Sequence, residues 1–221
     1  TPHGGGGPGS GPVGVTKALA PFLPGPIAVV LDEGDEEAPP LFGLVHPEQS
    51  IGRVKAFHGH FGILVRAFTY MMMLGGNGLL SASEHAVLNA NYLQARLRDT
   101  YKIPHDRICM HEFVMEGHWD DVPDIHALDI SKRLMDFGFH PPTNYFPLIV
   151  PEALMIEPTE TESIETLDAF ADVLIQIAEE AHTNPEILQT APHNTPFGRL
   201  DEVKAARELV LCCWLPEDVD S

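Results

Sequence analysis

The sequence is short of cations, of cysteine and of long apolar runs. Thirteen lysines and arginines stand against 32 aspartates and glutamates, a formal charge of −19. Nucleic acid and anionic membrane surfaces are bound chiefly through Lys and Arg, so neither is expected as a partner. The three cysteines, Cys109, Cys212 and Cys213, follow no CxxC spacing and include an adjacent pair. That pattern argues against a disulfide framework or a zinc-thiolate site and fits a reducing, cytoplasmic setting. No run reaches the roughly 18 apolar residues that span a bilayer, because Arg66 interrupts the best candidate, residues 61–80; a soluble protein is expected. An initiator Met and a signal-peptide pattern are also lacking. The chain opens directly on Thr1-Pro-His-Gly-Gly-Gly-Gly-Pro-Gly-Ser-Gly-Pro12, as if from the middle of a longer protein. What is present, 44% apolar residues over 221 positions, can fill one large or two modest domains.

Seven of the 19 glycines fall in the first 14 residues and eight of the 20 prolines in the first 40, so residues 1–26 read as loop. Ile27-Ala-Val-Val-Leu31 is a β-like run, and Asp32-Glu-Gly-Asp-Glu-Glu37 after it reads as a solvated acidic loop. Residues 57–74 and 78–98 predict two helices separated by Gly75-Gly-Asn-Gly78. In the second, Leu80, Val87, Ala90, Leu93 and Leu97 stack along one face, the expected core side. Met71, Met72 and Met73, inside an apolar helix, read as core filler. Beyond residue 100 strands and helices alternate: strand candidates at 107–115, 145–150 and 153–156, a helix at 125–137 stopped by Gly138, a helix after the capping-box pattern Thr159-Glu-Thr-Glu162 that runs to about Ala181, and a last helix near 201–211. The alternation predicts a small α/β sandwich, and no internal repeat is visible.

The glycine-rich opening lets backbone amides approach an anion closely. It is neither a Walker A loop nor a dinucleotide fingerprint, and from the residues alone a ligand loop, a structural turn and disorder all remain open. His58-Gly-His60 is the only pair of the 12 histidines two positions apart. His111-Glu112 lacks the second histidine of a zincin, so no metal site is expected, and hydrolysis through His58 and His60 is the weakest of the functional readings. Ser10, Ser81 and Ser83 lack a nucleophile-elbow context and the cysteines lack a neighbouring base.

Longer motifs are more specific. The opening Thr1-to-Val15 stretch with Pro21-Phe-Leu-Pro24, Leu88-Asn-Ala-Asn-Tyr-Leu93, His111-Glu-Phe-Val114, Gly138-Phe-His-Pro-Pro-Thr143 and Leu154-Met-Ile-Glu-Pro-Thr-Glu-Thr-Glu-Ser163 resemble, in order and over residues 1–211, glycine dehydrogenase (decarboxylating), the P-protein of the glycine cleavage system. The two-subunit form, subunit 2, is the nearer likeness. The resemblance implies the α/β fold of fold-type-I, aspartate-aminotransferase-like enzymes: residues 1–70 as the tail of the large cofactor-binding domain and the start of a connecting helix, residues 71–221 as the C-terminal small domain. It implies pyridoxal 5'-phosphate as cofactor, the lipoyl group of H-protein as acceptor of the aminomethyl group left after CO2 departs from glycine, and subunit 1 as partner in a hetero-oligomer.

By the same resemblance the Schiff-base lysine stands in a His-Lys-Thr-Phe motif about four residues before Thr1. Lys17, Lys55, Lys102, Lys132 and Lys204 sit in unlike contexts. The chain is therefore expected to be inactive alone; a non-catalytic module that docks onto a partner subunit is the alternative. His3 becomes the candidate for proton transfer, Gly4, Gly5, Gly6 and Gly7 candidates for the cofactor, and His58 and His60 weaker ones. For Glu157, Thr159 and Glu160 helix capping is a sufficient role. Residues 1–26, cut from a large domain, are expected to expose apolar surface and to be poorly ordered or to associate.

Overall fold

The computed structural model describes residues 13–56, 59–209 and 211. His3, Gly4 to Gly7 and His58 lie outside them. The chain divides into two units, Thr1–Leu79 and Leu80–Ser221.

Unit 1 holds one 3-10 turn, Ala20–Phe22, and an antiparallel hairpin of β1 (Ile27–Asp32) and β2 (Leu41–Val45). The β1 run was legible in the sequence; β2 was not. The acidic loop between the strands builds its own turn. Asp32 Oδ1 accepts from the Gly34 amide at 3.0 Å, and Asp35 Oδ1 accepts from Glu37 and Ala38 at 2.8 and 3.0 Å, the local bonding that makes Asp a turn residue. Where β1 meets β2, Gly43 leaves room for Leu31: a Cβ there would lie 2.4 Å from its side chain.

Helix α1 (Phe61–Leu97) joins the two expected helices, and Gly75 between them departs from helical geometry with φ 61° and ψ −176°. Its first half does not behave as core filler. Met71, Met72 and Met73 are 50, 68 and 80% exposed, and Phe61, Leu64 and Phe68 are exposed too. An 18-residue window of α1 has a mean hydropathy of 1.3, enough by length and composition for a membrane span, so one arginine does not exclude that reading as the sequence suggested. A helix apolar all round is equally what protein encloses on every side.

Unit 2 has the core. Strands β3 (Phe113–Glu116), β4 (Thr143–Asn144) and β5 (Ala153–Ile156) form an antiparallel sheet in the order β3-β5-β4, with Phe113 opposite Ile156 and Thr143 opposite Met155. Packed with it are α2 (Ala127–Asp136), α3 (Ile164–Thr183), the single turn α4 (Glu186–Gln189) and the end of α1. A short α5 (Glu202–Arg207) follows. The predicted faces are mostly borne out in α2 and α3: Ala127, Ile130 and Leu134, then Leu167, Leu174, Ile177 and Ala181, are at most 3% exposed, Phe137 and Phe170 are half-buried, and Ile164, expected on the α3 face, is 49% exposed at the first turn. In α1, Ala90, Leu93 and Leu97 are buried, but Leu80 is 59% exposed and Val87 only half-buried. Gly138 ends α2 at φ 82°, as a helix stop should.

Two local expectations fail. Residues 145–150 form a turn closed by the Val150 amide on Pro147 O at 3.0 Å, not a strand. Tyr145 at φ 60° leaves the β region, and Pro147 and Pro151 have no amide to give a ladder. The cap of α3 is Ser163, whose Oγ accepts from the Thr166 amide at 3.2 Å. Thr159 bonds Thr161 instead, and Asn89 holds the carbonyl of Thr159, keeping that stretch out of the helix.

Candidate functional site

The Leu88-to-Leu93 motif carries four different ties, one per side chain. Asn89, 9% exposed, donates from Nδ2 to Thr159 O at 2.9 Å. Asn91 clasps the Cys109 peptide, donating to its carbonyl at 2.8 Å and accepting from its amide at 3.0 Å. The Tyr92 hydroxyl donates to Asp168 on α3, and Arg96 one turn on bridges Asp168 and Asp172. Leu93 is 1% exposed in the core. About two turns of α1, Asn89 to Arg96, thus fix the loop before α3, the loop before β3 and α3 itself.

The loop that Asn89 fixes borders a cavity of about 300 Å³ in unit 2. Its floor is Leu93, Ile156 and Leu167; its walls include Phe139 and Phe170, edge to face with centroids 5.3 Å apart. Pro141, Pro142 and Pro158 also line it. At the rim stand His140, Glu157, Thr159, Glu162 and Thr166. Among the described residues neither lysine nor arginine lines it, so the rim is acidic apart from His140. Three motifs far apart in sequence, those starting at Leu88, Gly138 and Leu154, meet here. Sequence reasoning missed Asn89 as the residue that shapes the site. Its signal was a polar side chain beside the apolar stripe of Ala90 and Leu93, where an amide must find a partner.

A second polar assembly locks the segment after α4. The Asp136 carboxylate, 1% exposed, accepts from the amides of His193 and Asn194 at 2.5 and 2.7 Å and from Arg133 at 3.0 Å. Burial pushes its pKa up, but those donors outweigh it and hold it below the ordinary value. Arg133 also grips Glu180 through two bonds, at 2.8 and 3.1 Å, and so lowers the Glu180 pKa. At the other end of α2, Glu152 accepts from the Ala127 amide at 2.8 Å and Asp129 from the His126 amide at 2.9 Å. These carboxylates satisfy the first-turn donors of the helix themselves.

His60, the one described member of the predicted set, is half-buried in unit 1, and its carbonyl accepts from the Ile63 and Leu64 amides at 3.0 Å to start α1. Among the described residues no three His, Cys, Asp or Glu are gathered as metal ligands. Glu157 and Thr159, offered as capping residues, are at the cavity rim; Glu157 Oε1 lies 3.8 Å from His111 Nε2.

Comparison with known proteins gives consistent matches. A family profile described as glycine dehydrogenase, C-terminal domain, matches residues 82–195. Three curated proteins, each named "Probable glycine dehydrogenase (decarboxylating) subunit 2", are similar over nearly the whole chain. That of Lysinibacillus sphaericus is 60% identical over 95% of this chain and 42% of its own length. That of Caldanaerobacter subterraneus is 57% identical over 96% and 42%, and that of Desulforamulus reducens 57% over 98% and 44%. The chain thus spans less than half the length of these relatives. A crystal structure of glycine decarboxylase (P-protein) of the glycine cleavage system, in inhibitor-bound form, superposes with a TM-score of 0.58 at 19% identity, over 73% of this chain and 37% of that one. At that identity the likeness is one of fold.

Proposed function

The chain belongs to the glycine dehydrogenase family, matched through its C-terminal domain, and from that premise we propose that it works as the C-terminal part of a pyridoxal-phosphate-dependent glycine decarboxylase, subunit 2. The carrying observation is 55–60% identity to such subunits over 95% or more of the chain. In this reading residues 1–70 are the tail of the cofactor-binding large domain and residues 71–221 the small domain. Subunit 1 completes a hetero-oligomer, and the aminomethyl group passes to the lipoyl arm of H-protein. His3, Gly4 to Gly7, His58 and His60 remain the residues proposed to face the cofactor.

The cavity of unit 2 does not fit pyridoxal phosphate. Among the described residues no lysine lines it to bind an aldehyde and no arginine to meet a phosphate, and Glu157 and Glu162 would face that phosphate with like charge. Unit 1 supports the large-domain reading better. Its exposed Phe42, Phe61, Phe68 and Met73 have the composition of an interior, not of a surface.

The test compares the 221-residue chain with a version extended upstream through the His-Lys-Thr-Phe motif, each mixed with subunit 1, H-protein and pyridoxal phosphate. Release of CO2 from carboxyl-labelled glycine is expected only from the extended version. Equal release from the short chain, abolished by Lys17→Ala, would overturn the assignment of the lysine.

A further inference from the structure

The cavity of unit 2 is a built site that the decarboxylation reading leaves unused. Its floor and walls are apolar and its size, about 300 Å³, falls at the small end of ligand cavities. The two rings, Phe139 and Phe170, are held edge to face, so the apolar end is shaped for a flat or unbranched hydrocarbon body. Charge at the mouth comes in one sign: Glu157 and Glu162 line it, and among the described residues no lysine or arginine does and His140 is the lining group that can become cationic. Around the mouth, the ion pair Glu157 makes among the described residues is with His111, at 3.8 Å, and His111 also lies 4.0 Å from Glu112. The acidic chain as a whole draws cations toward it.

We propose that this cavity binds a primary ammonium group carried on a short apolar body, the hydrocarbon against Phe139, Phe170 and the three prolines and the ammonium between Glu157 and Glu162 at the rim. Carboxylates and phosphates are repelled by the same two side chains, so free glycine, whose carboxylate would enter with its amine, is not the ligand. The body contributes burial of apolar area, and the aromatic faces add attraction to the cation. Asn89 is the positioning residue: by holding Thr159 O it sets the loop from which Glu162 reaches the rim.

The experiment is a titration of the whole 15N-labelled chain with 2-phenylethylamine, 2-phenylethanol and phenylacetate, which share a body and differ in charge. Saturable shifts of the His140, Thr159 and Thr166 amides are expected with the amine, weaker ones with the alcohol and none with phenylacetate. E157Q/E162Q should weaken the amine about threefold or more, the scale of a solvent-screened ion pair, and leave the alcohol unchanged. An Nα-acetyl-lysine amide run beside the free amine separates the sources: tighter binding of the blocked lysine makes the ligand a side chain of a protein partner, tighter binding of the free amine a small molecule. Equal shifts with phenylacetate and phenylethylamine, no saturable shift with either, or an unchanged amine affinity in E157Q/E162Q would each overturn the proposal. None of these readouts needs cofactor or glycine, so they stand apart from the decarboxylase test.

Discussion

Unit 1 and unit 2 treat their apolar residues in opposite ways. Among the described residues every buried apolar side chain, from Ala90 to Ala191, belongs to unit 2, while unit 1 leaves Val30, Phe42, Phe68 and Met73 at 44 to 80% exposure. Both units close their backbone hydrogen bonds, the hairpin of unit 1 as well as the sheet of unit 2. The comparison separates two requirements of a fold. Satisfied amides give local structure, and burial of apolar surface is what makes it cohere. Unit 2 meets both; unit 1, in its described residues, meets the first only and has the surface of a piece that packs against other protein.

The largest expected effect tests that contrast directly. Leu174→Ala, at a site with 0% exposure, should cost about 2–5 kcal/mol in urea unfolding followed by fluorescence of Trp119. Phe68→Ala, at 60% exposure, should change the same transition by less than about 0.5 kcal/mol. Comparable losses would mean that unit 1 has a core after all.

The next effect concerns what polar groups add to the core of unit 2. Asp136→Asn removes the charge that gathers Arg133 and the amides of His193 and Asn194, a loss of about 1.5–3 kcal/mol for hydrogen bonds to a charged group. The sign with pH follows from the lowered pKa. Asp136 stabilises unit 2 fully above its unfolded pKa of 3.8, and this is lost as pH falls through its lower folded value. Glu180, also lowered, acts in the same sense. Urea midpoints measured between about pH 7 and pH 3 should therefore converge for the two proteins at the acid end; curves that stay parallel would remove the carboxylate from the account. Asn89→Ala is smaller, about 1 kcal/mol for the loss of a part-buried hydrogen bond from a buried side chain to the Thr159 carbonyl. It should also blur the shifts of Thr159 on amine titration.

How much of this was legible depended on whether the signal was periodic. The helix faces of α2 and α3 were readable because Ile130 and Leu134, or Leu174, Ile177 and Ala181, recur at helical spacing and the core takes them as they come. The cavity was half legible: its motifs stood out as family-like, but nothing in one dimension says that Phe139, Pro158 and Leu93 meet. Strand β2 was missed because Gly43 breaks its apolar run, and residues 145–150 were misread because an apolar run ignores that Tyr145 leaves the β region. The methionines of α1 were misread for a different reason. Periodicity reports that a helix wants burial, not whether the chain supplies the cover.

The smallest effect uses two glycines with the same open surroundings. A Cβ added at Gly138 or at Gly75 meets nothing within 4 Å, so neither substitution is opposed by packing, only by the backbone. Gly138 at φ 82° ends α2 inside a unit whose core fixes the chain on both sides. Alanine there must stay left-handed, and Gly138→Ala should cost about 1 kcal/mol. Gly75, at φ 61° and ψ −176°, sits where essentially only glycine is found. By intrinsic preference its cost would be the greater. Yet no core among the described residues around it holds that conformation, so alanine is free to turn helical instead. Gly75→Ala should leave the urea midpoint of unit 2 where it was and raise the far-UV helical signal slightly. If it instead destabilises the protein more than Gly138→Ala, the break in α1 is enforced by packing within this chain, and the division of the molecule into a unit with a core and a unit without one fails at that residue.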